Sequence, residues 1–139
     1  MIDIDELTQK SSSLRLLYVE DNVDSREMTA MVLEDFFDDI VIAVNGEDGY
    51  EKFLDNDIDV IITDLNMPKM GGLEMVEKIR SLDPNIPVLV LSAHNETEFL
   101  SKSEALHVDG YLLKPIDLDQ LIESIDAIVT KIGENGATE

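Results

Sequence analysis

Four apolar runs in this chain each lead into a residue that can carry charge or donate a proton. LRLLYV (14–19) leads into Glu20-Asp21-Asn22, DVIIT (59–63) into Asp64, PVLVL (87–91) into Ser92-Ala93, and GYLLK (110–114) ends on Lys114, followed by Pro115. A carboxylate at the end of a run such as VIITD is costly to bury alone, so Asp64 needs a partner. If the four run ends are neighbours, three carboxylates, one hydroxyl and one ammonium share a pocket. The acids and the lysine then leave two negative charges, which one divalent cation would neutralise. Without it, two carboxylates about 4 Å apart repel by roughly 4 kcal/mol at an effective dielectric near 20. A few oxygen donors open to water suit Mg²⁺ better than zinc, and Mg²⁺ usually serves phosphate chemistry. An acyl phosphate needs a carboxylate nucleophile, with cations on the spreading oxygen charge of the group in transfer.

The elements that must position these groups can be read from the apolar pattern. With IVIAV (40–44) there are five short runs, several of them continuous, as expected of strands covered on both faces. Helical spacings lie between them. Met28, Met31, Val32 and Phe36 form one stripe, and Leu73, Val76 and Ile79 another. The clearest is Leu118, Leu121, Ile122, Ile125, Ile128, Val129 and Ile132. The segment 96–107 has the thinnest stripe and is expected to be the least firmly packed helix. Asp24-Ser25-Arg26-Glu27 and Asn95-Glu96-Thr97-Glu98 resemble capping boxes. Asn45-Gly46 could turn a hairpin, but the following EDGYEKFLDND does not alternate, so a strand-to-helix turn is predicted. Five strands alternating with five helices make an α/β domain with a parallel sheet and right-handed crossovers. In such a sheet functional groups gather at the carboxyl ends of the strands. Residues 1–13 and 133–139 read as loose segments flanking a domain over 14–132.

Composition narrows the function classes. The chain of 139 residues is 44% hydrophobic and 29% charged, as a single globular domain should be. It has no cysteine, which excludes disulfides and thiolate metal sites. A net charge of −21 repels phosphate backbones and anionic lipid, so no direct nucleic-acid or membrane binding is expected. No apolar run approaches the ~20 residues of a membrane span, and MIDIDELTQKSSS lacks a signal-peptide core. The expected location is the cytoplasm.

Taken in order, several pieces resemble the receiver domain of two-component response regulators, of the chemotaxis-receiver-like kind. They are Glu20-Asp21, Asp64 with Met67-Pro68-Lys69-Met70-Gly71-Gly72, Ser92-Ala93, and Tyr111 three residues before Lys114-Pro115. The resemblance runs from about Leu14 to Lys131. It implies a flavodoxin-like doubly wound (βα)5 fold, with a five-stranded parallel sheet in the order 2-1-3-4-5. It further implies that Asp64 is a phosphoacceptor, served by the phosphohistidine of a sensor histidine kinase or phosphotransfer protein. Asp21, Asp64 and the Asn66 carbonyl would hold Mg²⁺, with Glu20 acting directly or through water. Ser92, Ala93 and Lys114 would bind the phosphoryl group, and Lys114–Pro115 would be a cis peptide. Ser92 and Tyr111 would form a switch acting on the face formed by 96–132. The implied chain is a signalling module rather than an enzyme. A phosphorylation-dependent dimer is compatible with it, and the effector is not legible. The chain would be a stand-alone receiver or part of a longer protein. Departures are modest: Glu20 for the commoner Asp, Ser92 for Thr, Gly71 where Asp is frequent, and His107 where Gly is usual.

Other readings carry less. Asp55-Asn56-Asp57-Ile58-Asp59 has the alternating acids of a calcium loop but lacks its sixth-position glycine and twelfth-position glutamate. His94 and His107 have no partner ligands in sequence, and the methionines are expected in the core. The nearest rival function is a phosphohydrolase of the haloacid dehalogenase type. It also uses a strand-end Asp and Mg²⁺, but it needs an Asp and a Thr where Asn66 and Pro68 stand.

Overall fold

The computed structural model describes residues 2–65, 67, 69–92 and 106–137. Its strands are β1 (Arg15–Val19), β2 (Asp39–Ala43), β3 (Val60–Asp64), β4 (Val88–Ser92) and β5 (Gly110–Leu113). The described helices are α1 (Ile4–Ser11), α2 (Val23–Leu33), α3 (Gly46–Asp55), α4 (Gly72–Arg80) and α5 (Leu118–Ala137). All strand pairs are parallel, in the order β2-β1-β3-β4-β5. This is the flavodoxin-like arrangement.

Alternation along each strand divides the apolar core into two layers. Leu16 and Tyr18 of β1, Val60 and Ile62 of β3, and Leu89 and Leu91 of β4 pack with Leu33 of α2 and with Leu121, Ile125, Ile128 and Val129 of α5. Leu17, Val19, Ile61, Val88 and Val90 pack on the other side with Met75, Val76 and Ile79 of α4. Both faces are covered, which is why the central runs are apolar without a break.

Three expectations need correction. The predicted loose segment 1–13 is, over the described residues 2–13, built around a helix. Asp3 caps α1 by accepting from the Glu6 backbone N–H at 3.1 Å, and Leu7 enters the same core as Leu33 and Ile125. Ser11 Oγ donates to the Phe36 carbonyl. Burying Leu7 contributes about 2 kcal/mol, enough to dock a two-turn helix that would be marginal by itself. Asp3-x-x-Glu6 ahead of Leu7 was the available signal. At the other end α5 continues through Ala137 rather than loosening at 133. Once a helix is nucleated, each added residue gains a backbone hydrogen bond.

The third correction concerns α2. Met28 and Met31 are 71% and 69% exposed, whereas Ala30 and Leu33 are buried and Arg26 is half-buried. The inward arc runs through 26, 30, 33 and Phe37; of the predicted stripe Val32 and Phe36 also pack on the core, but Met28 and Met31 do not. The cap is Asn22, whose Oδ1 accepts from Ser25 N–H at 2.9 Å, two residues before the predicted box. At α3, Asn45 makes the expected strand-to-helix turn, accepting from Asp48 N–H at 2.8 Å. The least-packed helix over 96–107 and its Asn95 cap lie almost wholly outside the described residues, as does His94.

Candidate functional site

The parallel register brings the candidate groups together at the carboxyl edge of the sheet. Asp64 is the last residue of β3 and lies opposite Leu91, next to Ser92 at the end of β4. Glu20 follows β1, tied down by its N–H to the Ala43 carbonyl of β2 at 3.1 Å. Lys114 follows β5, and its N–H donates to the Ser92 carbonyl at 2.7 Å. Pairing of neighbouring strands therefore sets the side-chain separations.

Glu20, Asp64 and Ser92 are buried and Asp21 is half-buried. Oxygens of Glu20, Asp21 and Asp64 all lie within 4.8 Å of one another. Lys114 Nζ sits 2.5 Å from Glu20 Oε1 and 3.3 Å from Asp64 Oδ1, bridging the two. Burial opposes charge on this ammonium. The Glu20 hydrogen bond and the charges of Asp64 and Glu20 outweigh it and raise the lysine pKa. Burial, followed by the contact with Glu20, pushes the Asp21 carboxyl above its ordinary value. Among the described residues Lys114 is the cation paired with these carboxylates and the Arg26 guanidinium lies on the loop backbone beside them, so three acids outnumber two cations.

The donor set fits a hard cation. In an octahedron with Mg–O near 2.1 Å, ligand oxygens stand about 3 Å apart when adjacent and about 4.2 Å when opposite. A carboxylate cluster within 4.8 Å is at that scale. No soft or nitrogen ligand lies in it, which disfavours zinc.

Arg26 and Thr63 escaped the sequence reading as positioning residues, while Gly46, Gly71 and Gly72 were seen only as parts of motifs. Arg26 Nη1 donates to the Glu20 carbonyl at 2.9 Å and to the Asp21 carbonyl at 3.4 Å, holding the acidic loop from α2. Its place on the buried arc was hidden by the exposed methionines. Thr63 Oγ1 donates to the Asp64 carbonyl at 2.9 Å. Gly72 donates to the Leu65 carbonyl at 2.8 Å, and a Cβ there would press into the Asp64 carbonyl. Gly46 N–H reaches the Met70 carbonyl at 2.9 Å and ties the β2–α3 turn to the loop after β3. Gly71 is the α4 N-cap and makes no side-chain cap bond.

Among the remaining candidates, Tyr111 of β5 is half-buried beside Leu106 and Val108 in the layer on the α4 side. The Lys114–Pro115 peptide is cis. His107 adopts φ 57°, the left-handed conformation in which a side chain is strained. Asn66 and Ala93 lie outside the described residues. Among the described residues, no helix is long and apolar enough to cross a membrane.

Comparison with known proteins agrees with this geometry. The response regulator receiver domain family matches residues 16–126. A Bacillus subtilis protein described as an uncharacterized transcriptional regulatory protein, YesN, is 36% identical over 65% of this chain and 24% of its own length. The chemotaxis protein CheY of Treponema pallidum is 30% identical, covering 83% of this chain and 82% of its own. The solved N-terminal domain of an uncharacterized protein from Wolinella succinogenes superposes with a TM-score of 0.82 at 35% identity, covering 91% of this chain and all of that one. The chain spans 24% and 46% of the lengths of two curated relatives, YesN and a receiver protein of Anaeromyxobacter.

Proposed function

This chain belongs to the response regulator receiver domain family, and on that premise we propose that Asp64 accepts a phosphoryl group from the phosphohistidine of a partner. Receiver domains of response regulators pair with histidine kinases in two-component signal transduction. A kinase or a phosphotransfer protein would serve as donor here. A carboxylate oxygen of Asp64 attacks phosphorus, the bond from phosphorus to the imidazole nitrogen breaks, and the product is an acyl phosphate. Lys114, already 3.3 Å from Asp64, pairs with the phosphoryl oxygens, and Ser92 and Ala93 bind them from the end of β4. Asp21, Asp64 and the Asn66 carbonyl would hold Mg²⁺, with Glu20 acting directly or through water. When bound, such an ion would supply positive charge to the oxygens of the group in transfer.

The readout is a shift of population rather than turnover. Phosphorylation draws Ser92 toward Asp64, and Tyr111 turns inward on the adjacent strand. The face built from 96–107, β5 and α5 then changes arrangement. The observation that carries the proposal is the Lys114 bridge between Glu20 and Asp64 inside a cluster of three carboxylates at the strand ends. Incubation with Mg²⁺ and acetyl phosphate should add one phosphoryl group to the wild type by mass spectrometry and none to Asp64→Ala. Equal labelling of that variant would overturn the assignment.

A further inference from the structure

Helices α1 and α5 leave between them an open groove of about 710 Å³, remote in sequence from the phosphoacceptor loop and formed in part by a helix that precedes the family match at residue 16. Its lining is apolar along one strip. Ile2 and Ile122 are half-buried there, and Ile4 is 45% exposed. Single exposed isoleucines are ordinary, but here three converge in one concave surface. Ile2 and Ile122 pack on the core that holds Leu7 and leave only part of each side chain in the groove, whereas Ile4 is left uncovered by the described fold.

The charge around that strip limits what can cover it. Asp3 and Glu6 line it from the α1 side, and Asp119, Glu123 and Asp126 from α5. The lining cation, Lys10, is held by Glu6 at 3.1 Å. Among the described residues Asp119, Glu123 and Asp126 make no ion pair. A second copy of the chain would bring −21 against −21. The segment 133–139, GENGATE, carries two glutamates and no cation, so that segment does not complement the walls. A nucleic acid is repelled for the same reason.

We propose that the groove docks a basic amphipathic helix of a partner protein. The apolar face of that helix lies on Ile2, Ile4 and Ile122, and its lysines or arginines lie against Glu6, Asp119, Glu123 and Asp126. This does not depend on phosphoryl transfer and is read without it.

The probe is a synthetic Lys/Leu amphipathic helix of about 15 residues, long enough to be helical when bound. It is titrated into the full chain by calorimetry and by NMR. Shifts should concentrate on 2–10 and 119–130. Glu123→Lys with Asp126→Lys should weaken binding about tenfold or more. Glu51→Lys with Asp55→Lys, on α3 across the sheet, should change it less than about twofold, the size of a screened long-range effect. Ile4→Ser alters neither charge nor core and should still weaken it about threefold, in keeping with loss of one partly exposed apolar contact. A peptide of scrambled order and equal charge should bind about tenfold more weakly. The proposal is overturned if the scrambled peptide binds equally well, if both lysine pairs act alike, or if shifts spread over the acidic surface. It is also overturned if sedimentation of the chain alone shows a dimer that the Glu123→Lys pair dissociates, which would assign the groove to a second copy.

Discussion

The two ends of the sheet handle charge in opposite ways. At the amino ends of the strands charged side chains form ion pairs and bond backbone groups. Arg15 pairs with Asp39 at 2.7 Å and its N–H reaches Asp59 at 2.8 Å. Asp109 accepts from Val88 N–H at 2.8 Å and meets Lys131 at 2.6 Å. Arg80 donates to the carbonyls of Ile86, Leu106 and His107, fixing the entry to β5. At the carboxyl ends Glu20, Asp21 and Asp64 crowd around Lys114. The first end uses polar groups to close backbone donors and acceptors. The second keeps three carboxylates close together with fewer cations beside them. Stability and chemistry are thus separated along the strands of one sheet.

The comparison can be broken most forcefully at Gly72, where the carboxyl end is held by backbone rather than by charge. Gly72→Ala would drive a methyl group into the Asp64 carbonyl and should cost about 3 kcal/mol in denaturant unfolding. A loss under about 1 kcal/mol would show that the loop after β3 yields easily, contrary to a rigid frame around Asp64.

At the amino end, Asp109→Ala should cost about 2 kcal/mol. Most of that comes from the orphaned Val88 N–H, because the Lys131 pair is half exposed and screened. Lys131→Ala should therefore cost much less, about 0.5 kcal/mol. Equal losses in urea melts would mean that the ion pair, not the backbone acceptor, carries the effect.

The carboxyl end predicts a change of opposite sign. In chelator, Asp21→Ala should melt higher than wild type by an amount worth about 1 kcal/mol, because one repelling charge is gone. Asp64→Ala should gain less, since Lys114 loses a partner at 3.3 Å. Excess Mg²⁺ should erase the advantage by stabilising the wild type through mass action. A lower melting point for Asp21→Ala in chelator would contradict the surplus-charge account.

The smallest effect is expected between the two ends. Tyr18 is fully buried, its hydroxyl has no hydrogen bond of regular geometry among the described residues, and burial raises its pKa strongly. Tyr18→Phe should change stability by no more than about 0.5 kcal/mol. A loss above about 1 kcal/mol would show that the hydroxyl, which neighbours Thr29, is bonded after all.

How much of this was legible depended on the range of the signal. Each strand was found to within one or two residues: the central β1, β3 and β4 are buried almost throughout and so read as unbroken apolar runs, while the edge strands β2 and β5 were found from shorter runs bounded by polar residues. The acids and Lys114 stood out because each broke such a run at its end. The orientation of α2 was misread because Met28 and Met31 mimic a core stripe, while the true arc passes through the small Ala30 and the polar Arg26. The helix Ile4–Ser11 was missed because its two turns are short and mostly polar, so the acidic, polar composition hid the amphipathic spacing around Leu7.

By itself, then, the sequence determined the α/β class, the strands and the identity of the groups at their ends, since run length, residue type and motif order are properties of the chain. Only the tertiary structure decided that Lys114 bridges Glu20 and Asp64, that Arg26 holds the acidic loop, and that α1 docks beside α5 to open a groove. Each of these joins residues whose separation is set by strand pairing and helix packing. Such contacts leave no pattern along the chain.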